Sequence, residues 1–321
     1  WHEQLLSLAG IDRTLFPPVV ESTATAGRVH GRAAAATGLP IDTPVSGGGG
    51  DAVISTTGLG LIKPGRIGIT LGTSGVVAMG APAYMANPDG KLQVFRGNAP
   101  GSFTAMGVTL AAAGSYHWFR EALGQFEQSE AEKTDQSAFG LLDKAAAAAP
   151  AGSDGLIFLP YLMGERSPHL DPLARGVFFG LTARHTRRDC IRAVMEGVGY
   201  GLWDSLSVFR EMGVEPVEIR AGGGGGRSRL WRQIQADMLG LPVVTANSKE
   251  GGALGVALLA GVGVGVWNSV PEACKAVITT SVPLLPDEET AAVYRRYYPI
   301  YRGLYPALKD SYVRLARAGR E

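Results

Sequence analysis

Short apolar runs separated by glycine-rich turns dominate the chain, and only a few stretches carry helical spacing. Ile67–Leu71 and Val76–Met79 are β-prone runs on either side of Gly72-Thr73-Ser74-Gly75, a pattern that predicts a hairpin. Leu156-Ile157-Phe158-Leu159-Pro160 is short, wholly apolar and ended by proline, as a buried strand would be. Val177–Phe179, Val214–Arg220 and Leu241–Thr245 read as further strands. Helical spacing is clearest after Thr186-Arg187-Arg188-Asp189, a capping-box sequence. There Ile191, Val194, Met195, Val198, Leu202, Leu206 and Phe209 fall on one face. A second helical face runs through Leu230, Trp231, Ile234 and Met238, and a third is expected over Met106–Leu123 beyond Gly107. Tyr294–Ala318 is expected as a terminal helix, interrupted or kinked around Pro299 and Pro306. Glu127–Asp135 reads as a solvated charged stretch, and residues 1–45 as short helical pieces broken by Pro/Gly turns.

Several of the turns carry candidate chemistry. In Gly72-Thr73-Ser74-Gly75 the glycines permit backbone geometry closed to other residues. Several N–H groups and two hydroxyls could then point at one anion, although an ordinary glycine hairpin has the same composition. Gly47–Gly50 followed by Asp51 sets a carboxylate at the end of a glycine loop, close to any ligand that approaches it. The same aspartate could instead cap a helix over Ala52–Thr57. Ala221–Gly226, followed by Arg227 and Ser228, joins a strand to a helix N-terminus, where backbone N–H groups and the helix dipole favour a phosphate or nucleotide. Neither a Gly-Lys-Ser/Thr ending nor a Gly-x-Gly-x-x-Gly spacing occurs, which argues against a Walker loop and against a dinucleotide dehydrogenase. Gly164–Pro172 is a polar loop dense in reactive residue types; a surface loop held by Glu–Arg pairing would look the same.

Composition narrows these options. A chain of 321 residues can hold two domains and a large core. Its 45 glycines gather at strand ends rather than in low-complexity tracts. With 30 basic and 29 acidic residues and no basic stripe, nucleic acid is not an expected partner. Cys190 and Cys274 are the only cysteines, and the five histidines show no metal-ligand pair at helical spacing, so neither a disulfide framework nor a zinc site is expected. A reducing cytoplasm fits this usage. Gly251–Pro271 lacks charge, but six of its residues are glycine. It reads as a small-residue helix over Ala253–Ala260 packed on a sheet, followed by a glycine-rich turn, rather than a membrane span.

The order of motifs resembles the FGGY group of carbohydrate kinases, and within it the xylulokinases. Gly47–Asp51, Leu71–Gly75, Gly164–Glu196, Ala221–Ser228 and Glu250–Gly255 carry the resemblance, the third through Gly176-Val177-Phe178-Phe179-Gly180-Leu181, Asp189 and Ala193-Val194-Met195-Glu196. Two positions depart from it: Cys190 stands where the group has a larger aliphatic residue, and Ala52 where xylulokinases carry Asn.

The resemblance implies an α/β, actin-like (RNase H-like) fold with a mixed sheet and flanking helices. It implies a division into 1–55, the end of an N-terminal sugar-binding domain, and 56–321, a C-terminal nucleotide-binding domain. The implied reaction is ATP- and Mg²⁺-dependent phosphorylation of a sugar hydroxyl, D-xylulose to D-xylulose 5-phosphate, in xylose metabolism; gluconate, ribulose and glycerol are alternative acceptors. Asp51 is then the catalytic base. Gly72, Thr73 and Ser74 form a phosphate turn, and Gly224, Gly225 and Ser228 contact the adenosine side; Ala113 and His117 fall near a further nucleotide contact. Sugar and ATP/ADP are the implied partners, with no nucleic acid or membrane, and a homodimer is compatible with it. The chain starts at Trp1, so most of the N-terminal domain is expected to be missing and turnover by the chain alone to be negligible. A non-catalytic nucleotide-binding module is the rival from a different class.

Overall fold

The computed structural model describes residues 1–63, 65–87, 89–248 and 251–319. Pro64 of the turn at 63–65 and Glu250 of the Glu250–Gly255 motif lie outside them. A short helix α1 (Glu3–Leu8) precedes an antiparallel pair, β1 (Thr25–Arg28) and β2 (Pro44–Ser46), joined through α2 (Gly31–Thr37). Helix α3 (Asp51–Gly58) then leads into β3 (Arg66–Leu71), β4 (Gly75–Ala81), β5 (Gln93–Arg96) and β6 (Phe103–Thr109). Three helices follow, α4 (Ala113–Leu123), α5 (Gln125–Lys133) and α6 (Ala138–Ala147), then the paired strands β7 (Ile157–Leu159) and β8 (Val177–Phe179). The remainder runs α7 (Arg187–Glu211), β9 (Glu218–Gly222), α8 (Arg229–Leu239), β10 (Val243–Thr245), α9 (Gly251–Gly263), α10 (Val270–Val277) and α11 (Glu288–Ala318).

The main sheet has the order β10-β9-β3-β4-β6-β5. Strands β10, β9 and β3 are parallel, whereas β3, β4, β6 and β5 are antiparallel neighbours. Both faces are covered. Ile67, Ile69, Leu71, Val77, Ile219 and Val243 pack into one large core with α7 and α8. The opposite face carries Leu59, Leu61, Ala78 and Met106 under α3, and beside them a smaller cluster joins Ile54 to Leu258, Leu259 and Cys274 of α9 and α10. The mixed sheet with helices on both sides agrees with the expected fold class.

The 67–71/76–79 hairpin, the strand before Pro160 and the long helix after Thr186 all occur, and every residue of the expected α7 face is buried. The Asp189 carboxylate accepts the Thr186 N–H (2.8 Å) and hydroxyl (2.7 Å) at the start of that helix. Four expectations are corrected. Residues 106–109 are the end of β6, and the helix begins only at Ala113, because seven residues from Phe103 to Thr109 pair with β4. Met106-Gly107-Val108-Thr109 is too short to show a helical or alternating period, and cross-strand pairing decides it. Glu127–Asp135 is not solvated throughout: α5 runs to Lys133, and Glu127 is buried beneath Arg187, whose Nη1 donates to it at 2.6 Å. The strand expected from Val214 begins at Glu218, and the terminal helix starts at Glu288, where the Asp287 side chain accepts the Thr290 N–H (2.8 Å). As for the uncharged 251–271 stretch, among the described residues no helix is long and apolar enough to cross a membrane.

One polar cluster sits inside this apolar frame. Glu196 accepts from Arg192 (2.7 Å), Tyr294 (2.9 Å), Ser153 (2.8 Å) and the Gly152 N–H (3.0 Å). Arg192 also donates to Tyr294 Oη (2.9 Å) and the Ala149 carbonyl (3.1 Å). The cluster ties α7 to α11 and to the chain following α6. Glu196→Ala should therefore cost about 3–5 kcal/mol, because it leaves a buried guanidinium without its counter-charge. Urea unfolding measures this, and a loss below about 1 kcal/mol would show that the cluster is not a tie.

Candidate active site

The parallel register of β3 and β9 pairs Thr70 with Gly222, so the two glycine turns leave the sheet side by side. In the first turn the Gly72 N–H donates to the Ser74 carbonyl (3.0 Å). The chain entering α4 holds its other carbonyls: Ala113 N–H to Gly72 O (2.9 Å), and Ala112 and Gly114 N–H to Thr73 O (2.9 and 3.1 Å). A Cβ on Gly114 would lie 2.8 Å from Thr73 O, so glycine is needed for that approach. In the second turn Ser228 caps α8, accepting the Trp231 N–H at 3.1 Å.

Between the turns lies a cavity of about 510 Å³. Gly72, Thr73, Gly224, Gly225 and Ser228 line it, as do Ala113 and His117; Ser74 is outside its lining. Sequence reasoning missed the rest of the wall, including Tyr116, Phe139, Asp143 and Trp231. Tyr116 stands against Phe139 (centroids 5.6 Å apart, stacked) and Trp231 (5.2 Å), and its hydroxyl donates to Asp143 (2.9 Å). Burial, and then the Asp143 carboxylate, push the Tyr116 hydroxyl far above its ordinary pKa, so it stays a donor. Tyr116 lies within the expected 106–123 helix, but nothing in the sequence brings Phe139 and Asp143 of α6 to the same wall.

The glycines of the second turn do three different jobs. Gly223 has φ +74°, and a Cβ there would sit 2.6 Å from Leu71 O. At Gly225 a Cβ would meet Leu71 Cβ at 2.8 Å and the Trp231 ring at 3.0 Å, so its smallness serves packing. Gly224 is in the right-handed helical region with nothing within 4 Å of a built Cβ. A side chain at 224 would enter the cavity without backbone strain.

Asp51 stands apart from this cavity. It lines a second one, of about 650 Å³, together with Glu21, Gly49, Gly50, Arg96 and Asn98. It is also not the cap of its helix: Gly50 is the N-cap, and Asp51 is the first helical residue, exposed, with Oδ1 accepting the Ala52 N–H (2.7 Å). The helix is held firmly. Gly58 and Gly255 let α3 and α9 touch backbone to backbone, since Cβ atoms there would fall 1.8 Å from Gly251 O and 2.4 Å from Ile54 O. Asn98 donates to Val53 O (3.0 Å) and Thr57 Oγ1 (2.7 Å) and accepts from Ser22 (3.1 Å). A carboxylate at a helix N-terminus is favoured by the dipole.

The Gly164–Pro172 loop lines neither of these two cavities. Glu165 is 3% exposed and accepts the N–H groups of Arg166 (2.7 Å) and Leu110 (3.0 Å); among the described residues no Glu165–Arg166 ion pair forms. Burial pushes its carboxyl up to about 7, against the two N–H donors that lower it. Burial also pushes His169 down to about 4, where its ring lies flat on Tyr305 at 3.7 Å.

Comparison with known proteins gives two family matches. The C-terminal domain of the FGGY family of carbohydrate kinases matches residues 67–264, and the N-terminal domain matches residues 1–58. A xylulose kinase of Staphylococcus epidermidis is 35% identical over 296 residues, covering 92% of this chain and 58% of that protein. A gluconokinase of Bacillus licheniformis is 33% identical over 324 residues, covering 100% and 62%. The solved structure of a ligand-bound xylulose kinase from Lactobacillus acidophilus superposes with a TM-score of 0.89 at 28% identity, covering 98% of this chain and 62% of that one. The chain thus spans about three-fifths of the length of these relatives.

Two outcomes follow from the site. Gly224→Val should leave the melting temperature nearly unchanged and weaken ADP binding at least ~10-fold, the scale of a lost close approach, whereas Gly225→Val should lower the melting temperature. Calorimetry and thermal melts separate the two; unchanged ADP affinity in Gly224→Val would make the turn purely structural. The second concerns pH. Glu165 has a folded pKa above its ordinary 4.5, so the folded chain binds that proton more tightly. Its stabilising contribution is full below 4.5 and is lost as pH rises through about 7. Glu165→Gln should flatten the fall in melting temperature between roughly pH 5 and 8, and an unchanged slope would contradict this.

Proposed function

The chain belongs to the FGGY family of carbohydrate kinases and has their actin-like fold, a mixed sheet with flanking helices, and on that premise we propose that it transfers the γ-phosphoryl group of ATP to a sugar hydroxyl. The observation that carries this reading is the convergence of two glycine turns on one cavity through a parallel strand pair. Backbone N–H groups and hydroxyls at such turns stabilise phosphate charge, and phosphoryl transfer depends on positioning and charge stabilisation more than on covalent chemistry. In this reading Gly72, Thr73 and Ser74 receive the phosphates. Gly224, Gly225 and Ser228 face the adenosine, and the aromatic wall of Tyr116, Phe139 and Trp231 gives the base an apolar surface.

Asp51 takes the proton of the accepting hydroxyl. Its Oδ1 is engaged by the Ala52 N–H, which leaves Oδ2 for the proton as the new O–P bond forms and the bond to the β-phosphate oxygen breaks. Among the described residues no cluster of three His, Cys, Asp or Glu could cage a metal ion. Magnesium would not need one, since it is bound largely through the substrate phosphates and water rather than by an all-protein cage. The ion would neutralise charge on the transferring phosphoryl group.

We divide the chain into 1–55, the sugar side, and 56–321, the nucleotide side; α3 crosses that boundary and carries Asp51 into the second cavity. The proposed acceptor is D-xylulose, after the xylulose kinases among the relatives. Gluconate is the second reading, favoured by a gluconokinase match over the whole chain. A cytoplasmic location suits an ATP-dependent kinase. With the complete gene product, Asp51→Asn should keep ADP affinity within about two-fold and lower xylulose-dependent turnover by about 10²–10⁴. Activity within a few-fold of wild type would remove Asp51 from the mechanism, and faster turnover with gluconate than with xylulose would select the second reading.

A further inference from the structure

Glu165 is a buried carboxylate used by neither the nucleotide cavity nor Asp51. Among the described residues no cation pairs with it; its neighbour Arg166 reaches it only through the backbone N–H. Burying a charge without a counter-ion is costly, so the partners it does have matter. One of its oxygens, Oε1, accepts from the Leu110 N–H at 3.0 Å. Leu110 directly follows β6, and the next residues are those that grip the phosphate turn: Ala112, Ala113 and Gly114, whose N–H groups bind the Thr73 and Gly72 carbonyls at 2.9–3.1 Å. A second bond, Ser167 N–H to Val108 O (2.9 Å), fastens the same loop to the last turn of pairing in β6. The loop itself is anchored far from the cavity. Glu165 and Asp171 exchange backbone hydrogen bonds (2.8 and 2.9 Å), Tyr305 of α11 donates to the Asp171 carboxylate (2.9 Å), and His169 stacks on the same tyrosine.

We infer that Glu165 is a positioning residue: through Leu110 it fixes the 110–114 segment, and so the shape of the Gly72–Thr73 turn that receives phosphate. This rests on the nucleotide reading above, but its mechanical half does not. A carboxylate that merely stabilises the core would behave differently. Replacing such a group by an apolar isostere is often neutral or stabilising, and would leave ligand affinity alone. Asp204 supplies the control: its charge acts on Glu165, but it is buried on α7, accepts from Tyr298 of α11 (2.8 Å) and makes no hydrogen bond to the end of β6.

The test uses the full chain with Glu165→Met, which keeps the volume and removes the acceptor, Glu165→Gln, which keeps an acceptor oxygen, and Asp204→Asn. Amide hydrogen exchange is read at Ala112, Ala113 and Gly114, and ADP affinity by calorimetry well below the melting temperature. Glu165→Met should speed exchange at the three amides and weaken ADP binding, each by about 10-fold, as expected for one lost hydrogen bond. Glu165→Gln should recover both to within about three-fold, and Asp204→Asn should move neither, whatever it does to the melting temperature. Should Glu165→Met not fold, Glu165→Ala carries the same expectation. Unchanged exchange and affinity in a folded variant, or Gln no better than Met, would overturn the inference. Faster exchange in a chain whose wild type fails to bind ADP would uphold the buttress and overturn the nucleotide reading instead.

Discussion

The parallel pairing of β3 with β9 is the constraint on which the site depends. Register Thr70↔Gly222 sets where both strands end, and a slip of one residue would turn every side chain of β3 to the opposite face. Ile67, Ile69 and Leu71, wholly buried on the α7 side, fix that register by hydrophobic burial. The two glycine turns are then adjacent as a consequence of core packing, not of any bond between them that a ligand must form. Gly223 and Gly225 press directly on Leu71, so the core residue that ends β3 also seats the second turn. Of the second turn's glycines that line the cavity, Gly224 alone has open space where a Cβ would be and Gly225 does not. Ligand sites outside the carboxyl ends of parallel strands are a general outcome of such sheets.

Around that pair, the chain holds its functional pieces with rigid supports rather than loops. Long helix α7 runs through the core and carries glycines where neighbours come close: a Cβ on Gly197 would lie 2.2 Å from Phe158 O. The Arg192–Glu196–Tyr294 cluster ties it to α11. On the other face, α3 and α9 pack through glycine contacts, and Asn98 clamps α3 at Val53 and Thr57. Asp51 thus projects from a braced helix end while staying exposed to solvent. Backbone-to-backbone packing of this kind leaves little room for a rotamer adjustment, which suits a group that must meet a substrate atom within hydrogen-bond reach.

Much of this was legible in the sequence, and the reasons differ from element to element. The β3–β4 hairpin and α7 were readable because alternation and helical spacing report burial directly, as Ile69 and Leu202 do. Residues 106–109 were not, since Met-Gly-Val-Thr is too short to show either period and the decision came from pairing with β4. Glu127 and Glu165 looked like surface charges; what buries them are Arg187, Leu110 and the chain around them, partners sixty and fifty-five residues away. At the candidate site, the glycine turns announced themselves by composition, and five of the six expected cavity residues meet in one cavity while Ser74 lies outside it. The aromatic wall did not, because Tyr116, Phe139 and Trp231 come from three different helices that only the fold brings together.

The central claim is that the two glycine turns form a single nucleotide site. The most direct measurement is a titration of isotope-labelled chain with ADP and magnesium, followed by backbone amide shifts at Thr73 and Gly224. Both amides should move with one shared dissociation constant, while amides of β5 and α2, which do not line the cavity, stay still. Movement of only one turn, or two distinct constants for the two, would contradict the claim.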